Sequence, residues 1–531
     1  MRVARLGRRL VPGTAGDWWW LLRERLGRSR RDVGILLLIA GVAFLVRLLP
    51  VVRHGGLFGI IGYDDGVYFG AAVALVHGVL PYRDILLLHP PGIVLSLTPF
   101  ALLGSVTGDA TAFAIARVAF MFLGGVSAAA AAVIAGRYGR LAGIMAGALY
   151  AVWTVAVAGE RNTDLHAPEN VLLLLGLLLA TRPGRIRPGR AAAIGAALGL
   201  GVSVHLWQGA SAAVLLAWVV LRARPGATRR FQAAVSFAAG SALAFGLACL
   251  PFLLSAPEAL VRYTLLDQLE RPNTGIGIVE RLRSLEGLAS KRSIPSALWP
   301  LITDPVVIVI AVSLLAVVLV VAWRCAWSRM WVALALVQVA IVLATPSFFG
   351  DYPNFAGPAL SLVLGTAVAL AIGHLAPMRR ARSAVAVTLV TCLVAVLAAI
   401  SISGDSSRSL KLGELRDEVA GAECVSADTP SLLVLSGGLR EDIDHGCRIV
   451  LDPTGVRYDT DRGHLLPGPA SGSTRAAVGY QRAMAAWYAS GSVALFLHPG
   501  AGLTAETMAP IVAALPVLRS HGIVTVRRAT P

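Results

Sequence analysis

Apolar runs long enough to cross a membrane recur along most of this chain, and they constrain its fold more than any other feature. A helical span needs about 20 apolar residues. The 531 residues are 56% hydrophobic and only 15% charged, a more apolar balance than soluble domains have. Predicted spans lie at 33–52, 110–135, 141–158, 168–181, 191–205, 209–222, 231–254, 301–322, 330–346, 355–373 and 383–402. The sequence therefore predicts an α-helical polytopic membrane protein with about eleven spans.

The basic residues predict how these spans are oriented. The net charge of +17 comes largely from arginine clusters between apolar runs, at 28–31, 182–190, 222–230 and 379–382. Cytoplasmic loops carry such clusters under the positive-inside rule. No long basic face with interleaved aromatic residues is present, so a nucleic-acid partner is not expected. The clusters place the N-terminus in the cytoplasm and the C-terminus outside the plasma membrane.

The apolar stretch 85–105 is ambiguous. Counting it as a span would put the later arginine clusters on the outer side, against the positive-inside rule. The sequence His89-Pro90-Pro91-Gly92 would also break a span at that point. We therefore predict that 85–105 lies at the outer face or dips into it.

The chain divides into three predicted parts. Residues 1–32 form a basic cytoplasmic tail, and 33–402 form the transmembrane domain, with external loops at 53–109 and 255–300. Residues 403–531 have apolar runs too short to span, which alternate between strand-like and helix-like patterns. That alternation predicts a small extracytoplasmic α/β domain.

Two details of this C-terminal part can be checked. Strand-like runs lie at 419–427, 448–451, 492–497 and 523–526, and helix-like runs lie at 474–488 and 504–515. Cys424 and Cys447 both fall in this part, and outside the cytoplasm they would form a disulfide.

Two adjacent aspartates, Asp64 and Asp65, follow the first span and precede a predicted amphipathic helix over 66–77. One aspartate at a helix N-terminus is explained by capping of backbone N–H groups. The second aspartate is not explained in that way. The alternative is a general base that takes a proton from an acceptor hydroxyl. We predict that this pair is catalytic.

A second polar cluster, 160–170, lies between two apolar runs on the same predicted face. It is either a solvated loop or a clamp for a sugar or phosphate. The candidate substrate-binding residues are Glu160, Arg161, Asp164, His166 and Glu169. No cofactor is assigned with certainty; if a divalent metal is bound, Asp64 and Asp164 are its predicted ligands.

Four further candidates lie elsewhere. Arg117 lies inside an apolar span, where an arginine usually faces a counter-ion or a cavity, so it is a candidate phosphate ligand. Arg47 is similar, with snorkelling to the interface as the alternative. Arg271 lies in the loop 255–300, and Tyr352 lies in an aromatic segment suited to stacking on a sugar or to an interfacial belt.

Several activities lack their motifs. The sequence has no GxxxxGK[ST] loop, no GxSxG elbow and no HExxH motif. Polar residues gather at one membrane face, whereas a secondary transporter would place its site near the midplane.

The order of motifs resembles the GT-C superfamily of membrane glycosyltransferases, especially protein O-mannosyltransferases and lipid A aminoarabinose transferases. The resemblance rests on Tyr63-Asp64-Asp65-x-x-Tyr68, then Gly78 to Asp84, His89-Pro90-Pro91-Gly92, Arg117 and the acidic loop 160–170. It covers roughly 40–380 and adds Tyr82 and His89 to the candidate substrate-binding residues.

The resemblance implies an inverting glycosyltransferase that uses a polyprenyl-phosphate sugar at the extracytoplasmic face. Asp64 would be the base, Asp65 stands where many members have Glu, and Asp164 or Glu169 would supply a second acid. Some members need a divalent metal and others do not. Arabinose or mannose would pass to a cell-envelope glycan, lipid or protein. The alternatives are a lipid-linked-sugar flippase and a non-catalytic envelope-assembly protein.

Overall fold

A computed structural model describes most of the chain. The described residues are 30–271, 273–286, 305–375, single positions within 384–402, and 407–460, 477–500 and 502–530. Most of the predicted tail 1–32, part of the loop 255–300 and most of the last predicted span lie outside them. The described residues form a helical membrane domain and a smaller α/β domain, as the sequence predicts.

Helices occupy the predicted spans up to residue 373 and several of the segments between them. In the first half of the chain they are α1 Arg30–Arg53, α2 Asp64–Val76, α3 Gly92–Thr107, α4 Asp109–Gly136, α5 Arg140–Val152, α6 Thr154–Gly159, α7 His166–Ala180, α8 Pro188–Val204, α9 Gln208–Arg222 and α10 Ala227–Ser255. The next elements are α11 Pro257–Val261, a π-helical turn at Arg262–Leu266, α12 Asp267–Leu269, α13 Ile278–Glu286, α14 Pro305–Arg324, α15 Arg329–Ala344 and α16 Gly357–Leu375.

Four of the described helical stretches are long and apolar enough to cross a membrane by length and composition. They are Asp32–Arg53, Asp109–Gly136, Ala227–Ser255 and Tyr352–Ile372, and the other apolar helices of this domain are shorter. The protein is therefore a helical membrane protein, and the number of spans stays a prediction.

Two predicted elements differ in detail. The predicted span 141–158 is divided into α5 and α6 at Trp153, which has an extended backbone with φ −64° and ψ 122°. The ambiguous stretch 85–105 becomes α3, which begins only at Gly92, directly after Pro90 and Pro91.

Glycines bring α8 and α10 together along their length. A Cβ on Gly195 would lie 2.0 Å from the carbonyl oxygen of Phe237, and one on Gly199 would lie 2.2 Å from that of Ser241. Real Cβ atoms do not approach carbonyls so closely, so only glycine permits this contact. The two helices run in the same direction, and their N-termini therefore lie side by side at one end of the domain.

Helix α2 is not amphipathic, contrary to the prediction. Its residues from Asp65 to Ala74 are all buried. The reason is that the C-terminal domain covers the face expected to meet water. At Gly66, an added Cβ would lie 2.1 Å from the backbone nitrogen of Ser431.

The C-terminal domain is the predicted α/β unit. Its elements are α17 Leu412–Val419, β1 Val425–Ala427, α18 Pro430–Ser436, α19 Gly438–Asp444, α20 Val456–Thr460, α21 Val478–Ala489, β2 Val493–Phe496, α22 Ala505–Ala514, β3 Val517–His521 and β4 Val524–Arg528. The sheet order is β1-β2-β4-β3, with β1 parallel to β2 and the other pairs antiparallel.

The sequence located most of these elements. Residues 448–451 form no strand, although their composition is strand-like, and β3 was not predicted. Cys424 and Cys447 form a disulfide, the pair that the sequence suggested. It ties the start of β1 to the segment that follows α19.

Candidate functional site

A cavity of about 600 Å³ lies between the membrane domain and the C-terminal domain. We call it the interdomain cavity. The polar and aromatic residues that line it are Tyr63, Asp64, Tyr68, His89, Asn162, Asp164, His166, His205, Arg271, Asn273, Thr274, Ser347, Phe349, Asp351, Tyr352, Asp452, Thr454 and Arg457. Segments far apart in sequence therefore meet at one site, and the C-terminal domain supplies part of its wall.

Asp65 is fully buried beside this cavity and does not line it. Its Oδ2 accepts a hydrogen bond from Arg117 Nε at 3.0 Å and another from Arg117 Nη2. Its Oδ1 accepts from the backbone nitrogen of Thr163 at 2.8 Å and from Thr163 Oγ1 at 2.7 Å. Both carboxylate oxygens are thus occupied, and the geometry gives Asp65 a structural role in place of the expected catalytic one.

Arg117 is equally buried and does not reach the cavity. Besides Asp65, its Nη1 donates to the backbone carbonyls of Gly56, Leu57 and Gly59 at 2.7–3.0 Å. Its guanidinium also lies 3.9 Å from the centre of the Phe113 ring. The expected phosphate ligand is therefore used to fix the segment between α1 and α2.

Asp64 points into the cavity. Its side chain is accessible to solvent, and no hydrogen bond or ion pair holds its carboxylate within the described part of the chain. The surrounding protein still removes much of its bulk hydration. This desolvation raises the pKa of Asp64 well above its usual value; Asp164 and Asp452 raise it further and Arg271 lowers it. A carboxylate of raised basicity in an open cavity suits proton abstraction.

Glu160 and Arg47 form a second buried pair outside the cavity lining. Glu160 Oε2 accepts from Arg47 Nε at 3.0 Å and from Nη2 at 2.6 Å. Its Oε1 accepts from Tyr150 at 2.5 Å and from Asn170 Nδ2 at 3.1 Å. Arg47 does not snorkel, since its side chain is fully buried, and Glu160 is occupied by structural partners instead of facing a substrate.

Arg161 is also buried, and it donates to the backbone carbonyl of Ser401. It is absent from the lining of the interdomain cavity. The loop 160–170 is therefore largely internal, since the helices on either side and the segment around Ser401 enclose it. The solvated-loop interpretation does not hold for these residues.

His166 and Glu169 belong to a hydrogen-bonded chain at the cavity wall. Glu169 is fully buried; its Oε1 lies 2.7 Å from His166 Nδ1 and its Oε2 lies 2.9 Å from His205 Nδ1. His166 Nε2 lies 3.1 Å from Asp351 Oδ2. Glu169 therefore orients two cavity histidines and does not face the cavity itself.

Asp164, His166 and Asp351 could hold a metal ion. One ligand atom from each lies within 4.8 Å of the others, and Asp64 is not part of this group. The second nitrogen of His166 bonds Glu169, an arrangement that commonly orients a metal-binding histidine. Burial raises the pKa of Asp164 to about 7, which a bound cation would oppose. The donor set therefore fits a divalent cation.

His89 lines the cavity, whereas Tyr82 supports it from behind. Tyr82 is buried with a positive φ of 70°, and its hydroxyl donates to the His89 carbonyl at 2.7 Å. The His89 ring meets the rings of Tyr68 and His205 edge-on, at 5.8 and 5.9 Å between centroids. Desolvation, with smaller effects of Arg271 and His205, lowers the pKa of His89 well below its usual value, so its ring is neutral.

Arg271 and Tyr352 both line the cavity, as the sequence suggested. Arg271 Nη1 donates to the Tyr352 hydroxyl at 2.8 Å. The Tyr352 ring also packs edge-on against Trp207 at 4.9 Å. The arginine that faces the acids of the cavity is thus Arg271, and not Arg117 or Arg161.

Sequence reasoning missed the contribution of the C-terminal domain. Tyr63 donates its hydroxyl hydrogen to Asp452 Oδ1 at 3.0 Å and accepts from the backbone nitrogen of Thr454 at 3.0 Å. Asp452 and Arg457 both line the cavity. Nothing in the local sequence links residue 63 with residues almost 400 positions away, so no signal could have found them.

Asn162 and Asp351 were also missed, although both lie in segments that the sequence singled out. The Asn162 Oδ1 atom is buried at the cavity and has no hydrogen-bond partner among the described residues. Asp351 was noted only as the one acid of an aromatic segment. An unpartnered amide oxygen at a cavity is suited to accept from a ligand hydroxyl.

Comparisons with known proteins found a matching family model and similar structures. Residues 87–346 match the family model Glycosyltransferase family 87. ArnT from Cupriavidus metallidurans bound to undecaprenyl phosphate has a similar structure, with a TM-score of 0.54 at 14% identity, covering 98% of this chain and 100% of ArnT. No curated protein sequence matches the chain.

Archaeal oligosaccharyltransferase structures are similar as well. The Archaeoglobus fulgidus oligosaccharyltransferase in complex with zinc and sulfate matches with a TM-score of 0.54 at 12% identity, over 87% of this chain and 67% of the other. AglB from the same organism, with an inhibitory peptide and a dolichol-phosphate, gives 0.53 at 13% identity, over 91% and 70%. At identities this low, the structural similarity establishes the fold alone.

The fold and the family match together define a membrane glycosyltransferase of the GT-C superfamily. Within that class, the chain carries the signature of glycosyltransferase family 87 over 87–346.

Proposed function

We propose that this glycosyltransferase moves a sugar from a polyprenyl-phosphate donor to a cell-envelope acceptor, with inversion at the anomeric carbon. The observation that carries the proposal is the accessible, unpaired Asp64 carboxylate in a cavity that also contains Arg271. Undecaprenyl phosphate in ArnT and dolichol-phosphate in AglB support a polyprenyl-phosphate carrier. The acceptor is a glycan, a glycolipid or a protein.

In this proposal Asp64 is the general base. Its carboxylate takes the proton from an acceptor hydroxyl as that oxygen attacks the anomeric carbon. The bond between this carbon and the phosphate oxygen breaks, and the polyprenyl phosphate leaves with the electron pair. General-base catalysis of this kind typically contributes 10²–10⁴-fold. The neighbouring acids favour it because they raise the basicity of Asp64.

Arg271 then stabilises the phosphate that leaves. Negative charge builds on the phosphate as the bond breaks, and a positioned guanidinium in a water-poor site lowers the energy of that state. Arg457 of the C-terminal domain lines the same cavity and would assist. These two residues replace Arg117 and Arg161 as the proposed phosphate ligands, because Arg117 and Arg161 do not line the cavity.

The acceptor approaches from the side of the C-terminal domain. A neighbouring crevice of about 350 Å³ lies at the carboxyl ends of the parallel strands β1 and β2, where ligands of α/β folds commonly bind. It shares Tyr63 and Thr454 with the interdomain cavity and includes Asp428 and Tyr480. Carboxylate and aromatic groups of this kind suit a sugar chain that leads towards Asp64.

A divalent cation is the proposed cofactor, with Asp164, His166 and Asp351 as its ligands. Bound there, it would supply positive charge for donor oxygens at the cavity. Its contribution is tested by chelation: a loss of transfer that Mn²⁺ restores would support it, and full activity in EDTA would contradict it.

The orientation in the membrane is also proposed. The interdomain cavity would face the extracytoplasmic side of the plasma membrane. The reason is that the arginine clusters 182–190 and 222–230 lie at the ends of α8, α9 and α10 that are far from this cavity, and such clusters mark the cytoplasmic side. This places the disulfide-bonded C-terminal domain outside the cytoplasm, where disulfides persist.

The proposal is tested by a transfer assay on the purified protein in lipid nanodiscs. Polyprenyl-phosphate arabinose and mannose are offered with short glycan acceptors, and wild type is compared with Asp64→Asn. Asp84→Asn is the matched control, since Asp84 lies in the same external segment, pairs with Arg83 and does not line the cavity. We expect Asp64→Asn to lose at least about 100-fold in rate and Asp84→Asn to keep wild-type activity.

Two results would contradict the proposal. Unchanged transfer by Asp64→Asn would place the base elsewhere. Translocation of the sugar lipid in sealed vesicles without transfer to any acceptor would favour the flippase alternative.

A further inference from the structure

A second site lies at the end of the membrane domain away from the interdomain cavity. Helix α8 ends at Val204, directly before His205, which lines that cavity, so the start of α8 at Pro188 is at the opposite face. A crevice of about 320 Å³ opens there, and we call it the arginine crevice. Its lining residues are Ile186, Arg187, Pro188, Arg224, Arg229 and Gln232.

The arginine crevice is built by two fixed connections. The glycine contacts between α8 and α10 bring the N-termini of these parallel helices side by side. The loops that precede them are joined by a bridge between Ile186 and Ala223, in which the Ile186 nitrogen donates to the Arg222 carbonyl at 3.1 Å. The crevice is therefore a defined feature of the fold.

The charge around the crevice is of one sign. Between Glu169 and Glu258 the sequence has no acidic residue, but it has eight arginines, at 182, 185, 187, 190, 222, 224, 229 and 230. The N-terminal ends of α8 and α10 add positive partial charge at the same place. An anion in this crevice would meet cations and backbone N–H groups without a competing carboxylate from this stretch.

Five of these arginines form two groups by their contacts. Arg185 and Arg190 donate to loop carbonyls, including Gly184 at 3.0 Å from Arg190, and so hold the loops in place. Arg187, Arg224 and Arg229 line the crevice and have no hydrogen-bond or ion-pair partner in the described part of the chain. The second group is available to a ligand.

An apolar surface continues from the crevice along α10. Phe231 is 70% exposed and Val235 is 48% exposed, and they follow Arg229 on the same helix. A free phosphate ion would leave this surface unused. A lipid would place its phosphate at the arginines and its acyl chains against these side chains.

We propose that the arginine crevice binds the phosphate of an anionic phospholipid from the adjacent leaflet. The positive-inside rule explains the sign of these loops, but it requires neither a crevice between them nor arginines that line it without a protein partner. The inference is independent of the glycosyl-transfer proposal, because no residue of the interdomain cavity takes part.

The test is native mass spectrometry of the purified, delipidated full chain, titrated with phosphatidylglycerol, phosphatidylcholine or inorganic phosphate. The variant is Arg187→Gln/Arg224→Gln/Arg229→Gln. The control is Arg140→Gln/Arg324→Gln/Arg329→Gln, which removes the same charge from exposed arginines outside the crevice. A cation near an anionic lipid surface contributes about 1 kcal/mol, so the variant should bind phosphatidylglycerol roughly 100-fold more weakly than wild type.

The expected result has three parts: wild type prefers phosphatidylglycerol to phosphatidylcholine, the crevice variant loses this preference, and the control keeps it. If the crevice variant and the control lose the same affinity for phosphatidylglycerol, the binding is due to general surface charge, and the proposal is wrong. Competition by inorganic phosphate at concentrations similar to those of the lipid would show a phosphate site and overturn the lipid assignment.

Discussion

The interdomain cavity and the buried layer beside it contain the same kinds of residue but use them differently. In the buried layer, Asp65 pairs with Arg117 and Glu160 pairs with Arg47, and each acid has further hydrogen-bond donors. In the cavity, no residue in the described part of the chain holds the Asp64 carboxylate in this way. Pairing, more than residue type, therefore separates a structural acid from a candidate base in this protein.

Asp65→Asn should give the largest effect on stability. The substitution leaves the Arg117 guanidinium buried without its counter-charge, which typically costs about 3–5 kcal/mol. A lowered unfolding temperature in nanodiscs, measured against Asp84→Asn, checks this. The double variant Asp65→Leu/Arg117→Met should recover much of the loss, because an apolar pair leaves no buried charge. If Asp65→Asn unfolds like wild type, the pair is not structural.

Arg271→Gln should lower the transfer rate by roughly 10²–10³-fold, since it removes the cation proposed to stabilise the leaving phosphate. Folding should be little affected, because Arg271 faces the cavity. The rate is measured at saturating donor, with Arg262→Gln as the control; Arg262 lies on the same segment and pairs with exposed Asp459. Equal rates for the two variants would remove Arg271 from the mechanism.

Asp452→Asn should give a smaller effect, visible in the pH dependence. Asp64 must be deprotonated to act, so activity falls as the pH drops through its pKa. That pKa is raised by desolvation and by the charges of Asp164 and Asp452. Removing the Asp452 charge lowers the pKa of Asp64. The acidic limb of the profile of transfer rate against pH should therefore move to lower pH by less than about one unit. A limb that stays in place or moves upward would contradict the assignment of Asp64 as the group that titrates.

Much of the fold was predictable because local pattern determines it. The apolar runs predicted α1, α4 to α10 and α14 to α16, and the motif order led to the GT-C resemblance. They did not predict α11 to α13, which lie in the loop 255–300. Strand β3 was missed because most of its residues are exposed and its pattern is not apolar. The covering of α2 was missed because it depends on the C-terminal domain, and packing between distant segments leaves no local signal.

The site was predictable only in part for the same reason. The sequence pointed to Asp64, Asp164, His166, His89, Arg271 and Tyr352, and all of them line the cavity. It also pointed to Arg117, Glu160 and Arg161, since a charged residue near a membrane boundary suggests function. Their partners lie 52 to 240 positions away, so the sequence could not show that these charges are already bound.

The most direct test measures transfer rate and unfolding temperature together for Asp64→Asn and Asp65→Asn. We expect opposite outcomes for these neighbouring residues. Asp64→Asn should keep the wild-type unfolding temperature and lose at least about 100-fold in rate. Asp65→Asn should unfold at a lower temperature, and the fraction that remains folded should still transfer sugar. An Asp64→Asn protein that transfers at the wild-type rate would contradict the role of Asp64 as the base. An Asp65→Asn protein that is fully stable but inactive would contradict the structural role of Asp65.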